Sequence, residues 1–182
     1  HFPEIPIILI MRHPCAVANS KLQGNWDPQL VHYLTQQDLL TDFLHPFEDE
    51  IRNHKSDFEK HIFSWCIEHY VPLMQFNKDD IFIVFYENLC LYPEKEIRSL
   101  FSFIGRDYSP KVMKKVFTPS LETSNRSAIV TGSDLISSWE KYLSIDQIMR
   151  AVEILSLFGL DAIYKDDVMP LMKNEAVFDF FN

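Results

Sequence analysis

Two residues near the start of the chain have types and a spacing that suit phosphate binding. Arg12 directly follows the apolar run of residues 6–11, and Ser20 lies further on in the same stretch. The planar guanidinium group of an arginine matches a pair of phosphate oxygens, and a serine hydroxyl can donate a hydrogen bond to the same group. If a helix follows, Ala16 and Ser20 share a face, and the small Ala16 leaves room for a ligand. The pattern therefore predicts a pocket for one phosphate group, formed by Arg12 and Ser20.

The same two residues also have an ordinary structural interpretation. An arginine at the end of a strand often pairs with a nearby carboxylate, and a serine on a helix is usually hydrated. On spacing alone the two interpretations have equal weight. The apolar run and Pro14 favour the phosphate pocket, because together they predict a strand, a tight turn and the start of a helix at this point.

Two apolar runs predict the strands that position these residues. Residues 5–12 and about 81–86 are apolar almost throughout, which is typical of strands covered on both faces in a parallel sheet. Ligands of α/β folds bind at the carboxyl ends of such strands, where Arg12 lies. Two strands do not make a parallel sheet that is stable alone, so we expect the remaining strands upstream of His1.

Several helices are predicted between and after the two strands. Pro14 suits the first turn of a helix that runs to residue 22, and Ser56 with Glu59 has the form of an N-terminal capping box. The chain is thus predicted to be a mostly helical α/β protein. The other helices are expected over residues 28–44, about 93–104 and 144–158, with a polar loop over 118–134.

Composition excludes several classes of function. The formal net charge of −9 over 182 residues argues against a general nucleic-acid-binding surface. Only four residues are glycine, and neither GxxxxGK[ST] nor GxGxxG occurs. The three cysteines have no metal-ligand spacing and favour a reducing compartment, so we expect a cytoplasmic protein that needs no metal. No apolar run approaches the roughly 18 residues of a membrane span.

Several segments of the chain occur in the order found in one enzyme family. The family's RxPxxxxxS element is matched by RHPCAVANS at residues 12–20, and its preceding strand by FPEIPIILIMRHP. Its helix, strand and YEDL-like segment resemble WCIEHYVPLMQF followed by DDIFIVFYENLCLYPEKEIRSLFSFIG, and its later Trp-containing stretch resembles SWEKYLSIDQI. Over most of its length the chain therefore resembles the sulfotransferases that use 3′-phosphoadenosine-5′-phosphosulfate (PAPS).

The resemblance implies roles for particular residues. In the family, the arginine and serine of the first element hold the 3′-phosphate of PAPS, which implies this role for Arg12 and Ser20. Arg126 lies in the loop from which related enzymes bring a second arginine to that phosphate, although it is further from Trp139 than the family spacing; a solvated loop residue is the alternative. Glu87, in the YEDL-like segment, is implied to be structural and receives no catalytic role.

The resemblance also implies a fold and a gap in the site. The family has a P-loop-NTPase-like three-layer fold with a parallel sheet, of which residues 1–182 would be a single domain, the C-terminal portion of an N-terminally incomplete fold. The PKSGTTW-like loop, which holds the 5′-phosphosulfate in the family, has no counterpart in this sequence. The family's catalytic base also lies in that earlier part, so the catalytic residues are expected upstream of His1.

The predicted function is transfer of a sulfuryl group from PAPS to a hydroxyl or amine acceptor. PAPS is the only co-substrate expected, and the acceptor is a small molecule, a carbohydrate or a peptide. Trp26, Tyr33 and Phe43 either line the acceptor pocket or belong to the core, which we favour. Two alternatives stay open: a non-catalytic binding protein on the same scaffold, which the missing loop supports, and a nucleotide kinase-like protein, which the missing Walker loop disfavours.

Overall fold

The structure is mostly helical, with a small parallel sheet. The computed structural model describes residues 5–113 and 134–181 of the chain. Within these residues, helices make up most of the regular structure, and two strands form the sheet. This architecture agrees with the predicted α/β class, whereas the three-layer, P-loop-NTPase-like arrangement stays a prediction.

The two strands are the apolar runs that the sequence indicates. Strand β1 is Ile7–Met11 and strand β2 is Ile81–Phe85, and the two pair in parallel. Met11 lies opposite Phe85 in the ladder, so both strands end at the same edge of the sheet. The residues that follow the two strands therefore leave the sheet side by side.

The longest of the described helices lies in the crossover between the two parallel strands and packs against the first helix. It begins after Ser56, whose hydroxyl accepts a hydrogen bond from the backbone N–H of Glu59 at 3.2 Å. Pro14 occupies the first turn of the first helix, as predicted. The described α-helices are α1 (Pro14–Gln23), α2 (Val31–Leu34), α3 (Gln37–Leu39), α4 (Glu48–Arg52), α5 (Asp57–Gln75), α6 (Tyr86–Leu91), α7 (Pro93–Phe103), α8 (Ile145–Leu157) and α9 (Asn174–Phe181). Shorter turns are π-helical at Leu40–Leu44 and 3-10 at His45–Phe47, Pro110–Val112, Ser138–Lys141 and Leu160–Ala162.

The predicted single helix over residues 28–44 is wrong. The segment is divided into α2, α3 and a π-helical turn, and Gln29 at its start has a left-handed backbone with φ of 46°. Leu30 and Leu44 are buried, but most other side chains of the segment are exposed or half-buried. The polar stretch TQQD at residues 35–38 interrupts the apolar positions, so no continuous apolar face holds one helix against the core.

Large buried aromatic side chains lie under the residues that follow β1. Trp65 of α5, Trp139 and Tyr164 are among the largest fully buried side chains. The imidazole of His13 stacks on Trp139 with ring centroids 4.4 Å apart, and it forms a T-shaped pair with Tyr164 with ring centroids 5.2 Å apart. Side chains from three distant parts of the chain thus support the turn that carries Arg12.

Candidate functional site

Arg12 leaves β1 beside the aromatic ring of Tyr86. Because Met11 and Phe85 are opposite in the ladder, Arg12 and Tyr86 occupy the next position on each chain segment. The guanidinium carbon of Arg12 lies 4.6 Å from the centroid of the Tyr86 ring, which is a cation–π contact. The carboxyl edge of the sheet therefore holds a cation on an aromatic face.

The peptide group that follows Arg12 is fixed by buried side chains. The indole Nε1 of Trp65 donates a hydrogen bond to the carbonyl oxygen of Arg12 at 3.0 Å. The next backbone N–H, that of His13, donates to the carboxylate of Glu87 at 2.8 Å. Because the carbonyl and the N–H of this one peptide group are both held, the core restricts the direction in which the Arg12 side chain leaves the turn.

The guanidinium group of Arg12 has few polar partners. Its Nη2 atom is 3.5 Å from the carbonyl oxygen of Leu135, at the long limit for a hydrogen bond. Its Nε atom is buried and has no hydrogen-bond partner among the described residues. Within residues 5–113 and 134–181 no carboxylate forms a salt bridge with Arg12. The alternative interpretation, in which Arg12 pairs with a carboxylate, is therefore not supported within these residues. N–H donors of the guanidinium group remain for a ligand.

Glu87 is a fully buried residue that joins α6 to the turn after β1. Its carboxylate accepts one hydrogen bond from the backbone N–H of His13 and another from the hydroxyl of Tyr164, at 2.8 Å and 2.7 Å. Burial raises the pKa of this carboxyl, although the two hydrogen bonds and the charge of Arg12 oppose the rise. These contacts agree with the structural role that the resemblance implied for Glu87.

His13 is a buried capping residue. Its Nδ1 accepts a hydrogen bond from the backbone N–H of Cys15 at 3.2 Å, so its Nε2 carries the proton and donates to the carbonyl of Lys165 at 3.0 Å. Burial lowers its pKa to about 4, which keeps the imidazole neutral near pH 7. Both ring nitrogens are used in structural hydrogen bonds, so we assign no proton-transfer role to His13.

Ser20 lies on the exposed side of α1, one turn after the buried Ala16. No described residue forms a hydrogen bond with its hydroxyl, so no hydrogen bond joins Ser20 and Arg12. The structure thus places the two predicted phosphate-binding residues on consecutive elements and leaves the hydroxyl free. Arg126, the third predicted phosphate-binding residue, lies outside the described residues.

The three aromatic residues predicted to lie in the core or in an acceptor pocket have different surroundings. Trp26 is 69% exposed, so its predicted place in the core is wrong. It follows Asn25, whose φ of 53° turns the chain outward after α1. Tyr33 is half-buried and donates its hydroxyl to Glu68 at 2.9 Å, and Phe43 is half-buried against the core.

Two residues that fix Arg12 were missed by reasoning from the sequence. In the sequence Trp65 stands out only as part of the segment WCIEHYVPLMQF that resembles a helix of the family, although a buried indole N–H requires an acceptor. Tyr164, whose hydroxyl lies 3.4 Å from the carbonyl oxygen of Met11, belongs to a segment with no clear pattern. Neither residue has a local signal that indicates its partner.

The described residues contain neither a cluster suited to a metal ion nor a helix that is long and apolar enough to cross a membrane. Cys15, Cys66 and Cys90 are free thiols. The expected cytoplasmic location stays a prediction.

Comparison with known families identifies the class of protein. The model of the sulfotransferase domain family matches residues 1–154 of the chain, a range that includes Arg12, Ser20, Tyr86 and Glu87. The protein therefore belongs to the sulfotransferase family, whose reaction is transfer of a sulfuryl group, with PAPS as the donor used by such domains. No curated protein and no solved structure matches the chain.

Proposed function

We propose that this sulfotransferase-family protein moves a sulfuryl group from PAPS to a hydroxyl or amine acceptor, with Arg12 and Ser20 binding the 3′-phosphate of the donor. The family match supports the reaction class. We propose Arg126 as a further ligand of the same phosphate, and a small molecule, a carbohydrate or a peptide as the acceptor. No metal takes part in this proposal.

The state of the Arg12 guanidinium is the observation that supports the residue assignment most directly. The group lies on a ring face, the peptide group after Arg12 is fixed by two hydrogen bonds, and no carboxylate of the described residues neutralises the guanidinium through a salt bridge. Its buried Nε has no partner in the same ranges. A cation with unused donors at the carboxyl edge of a parallel sheet suits a doubly charged phosphate.

The chain's residues in this proposal orient the donor and do not react with it. PAPS supplies the activated sulfuryl group when it is bound, and its 3′-phosphate lies far from the reacting sulfur. Binding energy at Arg12 and Ser20 therefore contributes by fixing the position of the donor, so that the sulfuryl group is in line with the acceptor. The proton of the acceptor goes to a base that we do not assign to any residue of this chain.

A thermal-shift titration tests the assignment of Arg12. Adenosine 3′,5′-bisphosphate at a hundredfold excess over its Kd should stabilise the folded protein by about 2.7 kcal/mol. Adenosine 5′-monophosphate, which lacks only the 3′-phosphate, should stabilise it less. We expect Arg12→Ala to lose most of the difference between the two nucleotides, because the mutated side chain no longer neutralises the 3′-phosphate.

Arg98→Ala is the matched control for this titration. The Arg98 guanidinium also lies on a tyrosine ring, 4.1 Å from the centroid of Tyr108, but it forms a surface salt bridge with Glu94. This variant should keep the wild-type difference between the nucleotides. If Arg12→Ala keeps it as well, Arg12 is not a ligand of the phosphate. Binding of the bisphosphate without any sulfuryl transfer from PAPS would instead indicate a non-catalytic binding protein.

A further inference from the structure

We propose that Tyr86 is a positioning residue that holds the Arg12 guanidinium with its hydrogen-bonding edge open to the 3′-phosphate. This inference rests on the proposed function, since it concerns the same phosphate. Tyr86 itself is given no contact with the sulfuryl group or with the acceptor. Its role is to determine where the positive charge of Arg12 stands before the ligand arrives.

The sheet register brings the two residues together. Arg12 follows β1 and Tyr86 follows β2, directly after the last opposed pair of the parallel ladder. The guanidinium carbon lies 4.6 Å from the centroid of the tyrosine ring, and the only hydrogen bond of the guanidinium among the described residues is the 3.5 Å contact with Leu135. The ring is thus the main short-range partner of this cation in the described part of the chain.

The type of contact determines what remains available to an anion. A carboxylate that paired with Arg12 would occupy the in-plane N–H donors, which are the same donors that a phosphate needs. An aromatic ring attracts the cation through its π face and takes up none of those donors. Tyr86 can therefore hold the group and still leave its edge free for two phosphate oxygens.

The tyrosine is itself held in place. It is the first residue of α6 and lies directly between the buried Phe85 and the buried Glu87. Burial raises the pKa of Tyr86 to about 12, so the phenol stays neutral in the physiological range and its ring keeps the electron-rich face that attracts the cation. A fixed, neutral ring limits the orientations open to Arg12, which lowers the entropy lost when a phosphate binds.

The test compares variants that keep or remove the ring. The Kd values of adenosine 3′,5′-bisphosphate and adenosine 5′-monophosphate are measured by calorimetry. The Kd of the monophosphate divided by the Kd of the bisphosphate is the ratio that reports the contribution of the 3′-phosphate. Tyr86→Phe keeps the ring and should keep the ratio. Tyr86→Leu removes the ring and should lower the ratio about tenfold, the size of a partly desolvated cation–π contact. Tyr108→Leu removes the Arg98 cation–π contact elsewhere and should leave the ratio unchanged.

A second readout does not depend on the nucleotide. The Arg12 Nε–Hε signal in a proton–nitrogen NMR spectrum, assigned by its loss in Arg12→Lys, should show a ring-current shift in the wild type and in Tyr86→Phe. The shift should disappear in Tyr86→Leu. Tyr86→Met provides a second ring-free variant with an unbranched side chain in case Tyr86→Leu does not fold.

The outcomes separate this inference from the proposed function. A folded ring-free variant that keeps the wild-type ratio overturns the positioning role, and so does a Tyr86→Phe variant that loses the ratio as strongly as Tyr86→Leu. A wild-type protein that does not distinguish the two nucleotides overturns the proposed function itself. In that case the NMR readout still tests Tyr86. An Arg12 Nε–Hε signal that is unaltered in the ring-free variants overturns the role of Tyr86, and loss of the ring-current shift supports its contact with Arg12.

Discussion

The two residues proposed to bind one phosphate lie in opposite surroundings. Arg12 follows a strand, and the peptide group that joins it to His13 is held by the buried side chains of Trp65 and Glu87. Ser20 is exposed on α1, and its hydroxyl has no partner among the described residues. The difference suggests a division of work in which a fixed cation supplies most of the affinity and an adaptable hydroxyl adds one hydrogen bond.

The largest effect on the fixed half of the site, which is Arg12 and the turn that carries it, is expected from Glu87→Ala. This change leaves the backbone N–H of His13 buried without an acceptor, and it leaves the hydroxyl of Tyr164 only the longer 3.4 Å hydrogen bond to the carbonyl of Met11. One unsatisfied buried group costs about 1–3 kcal/mol and a lost hydrogen bond about 1 kcal/mol, so the free energy of unfolding should fall by about 3 kcal/mol. Urea denaturation measures this change, and weaker binding of the bisphosphate by the remaining folded protein should accompany it.

Glu94→Ala is the control for this substitution. The Glu94 carboxylate is exposed and forms an i,i+4 salt bridge with Arg98, so its removal should change the free energy of unfolding by no more than about 0.5 kcal/mol. Equal effects of Glu87→Ala and Glu94→Ala would mean that the turn under Arg12 is not held by the buried carboxylate, and the contrast between the two halves of the site would be lost.

Acid pH should lower the stability of the part of the site around Arg12, because His13 in that turn is buried. Its pKa is near 6.5 in the unfolded chain and about 4 in the folded protein, so the unfolded state binds a proton first. The contribution of His13 to stability is complete above pH 6.5 and is lost as the pH falls from about 6.5 to 4, by about 3 kcal/mol in total. The raised pKa of Glu87 acts in the opposite direction and offsets part of the loss at the acidic end.

Unfolding curves measured at several pH values check this slope. His13→Asn keeps a side chain that can cap α1 but does not titrate, so we expect its stability to vary less with pH between 6.5 and 4. His45→Gln removes an exposed histidine and should keep the wild-type slope. A slope that is the same in His13→Asn and in the wild type would show that other groups control the acid response.

The strands illustrate what the sequence could predict. Continuous apolar runs predicted both strands and their parallel pairing, and the structure has both. The expected cover on both faces is found for β2, which is mostly buried, but not for β1, where Ile10 is 58% exposed. An apolar run reports the tendency of a strand to be buried and does not identify the residues that cover it.

The candidate site shows the same limit at the level of single residues. The position of Arg12 at a strand end followed from local pattern, and its closeness to Tyr86 follows from two parallel strands that end at one edge. The hydrogen bonds from Trp65 and Tyr164 span 53 and 153 residues of sequence. Such pairs depend on how helices and turns pack in three dimensions, for which no spacing rule within the chain exists.

The smallest effect is expected on the adaptable half of the site, from Ser20→Ala. The hydroxyl makes no hydrogen bond with a described residue, so the free energy of unfolding should change by no more than about 0.5 kcal/mol. The ratio of the Kd values for adenosine 5′-monophosphate and the bisphosphate should fall about fivefold, the value of one hydrogen bond of about 1 kcal/mol. Calorimetry with the two nucleotides and urea denaturation measure the two quantities separately.

Ser156→Ala makes this prediction specific, because Ser156 is also an exposed serine on a helix but donates its hydroxyl to the carbonyl of Val152. It should leave nucleotide binding unchanged. If Ser20→Ala binds both nucleotides like the wild type while Arg12→Ala does not, the phosphate is held by the fixed cation alone. If Ser20→Ala instead lowers the free energy of unfolding by well over 1 kcal/mol, the hydroxyl has a structural partner. Both Arg12 and Ser20 would then be held by the fold.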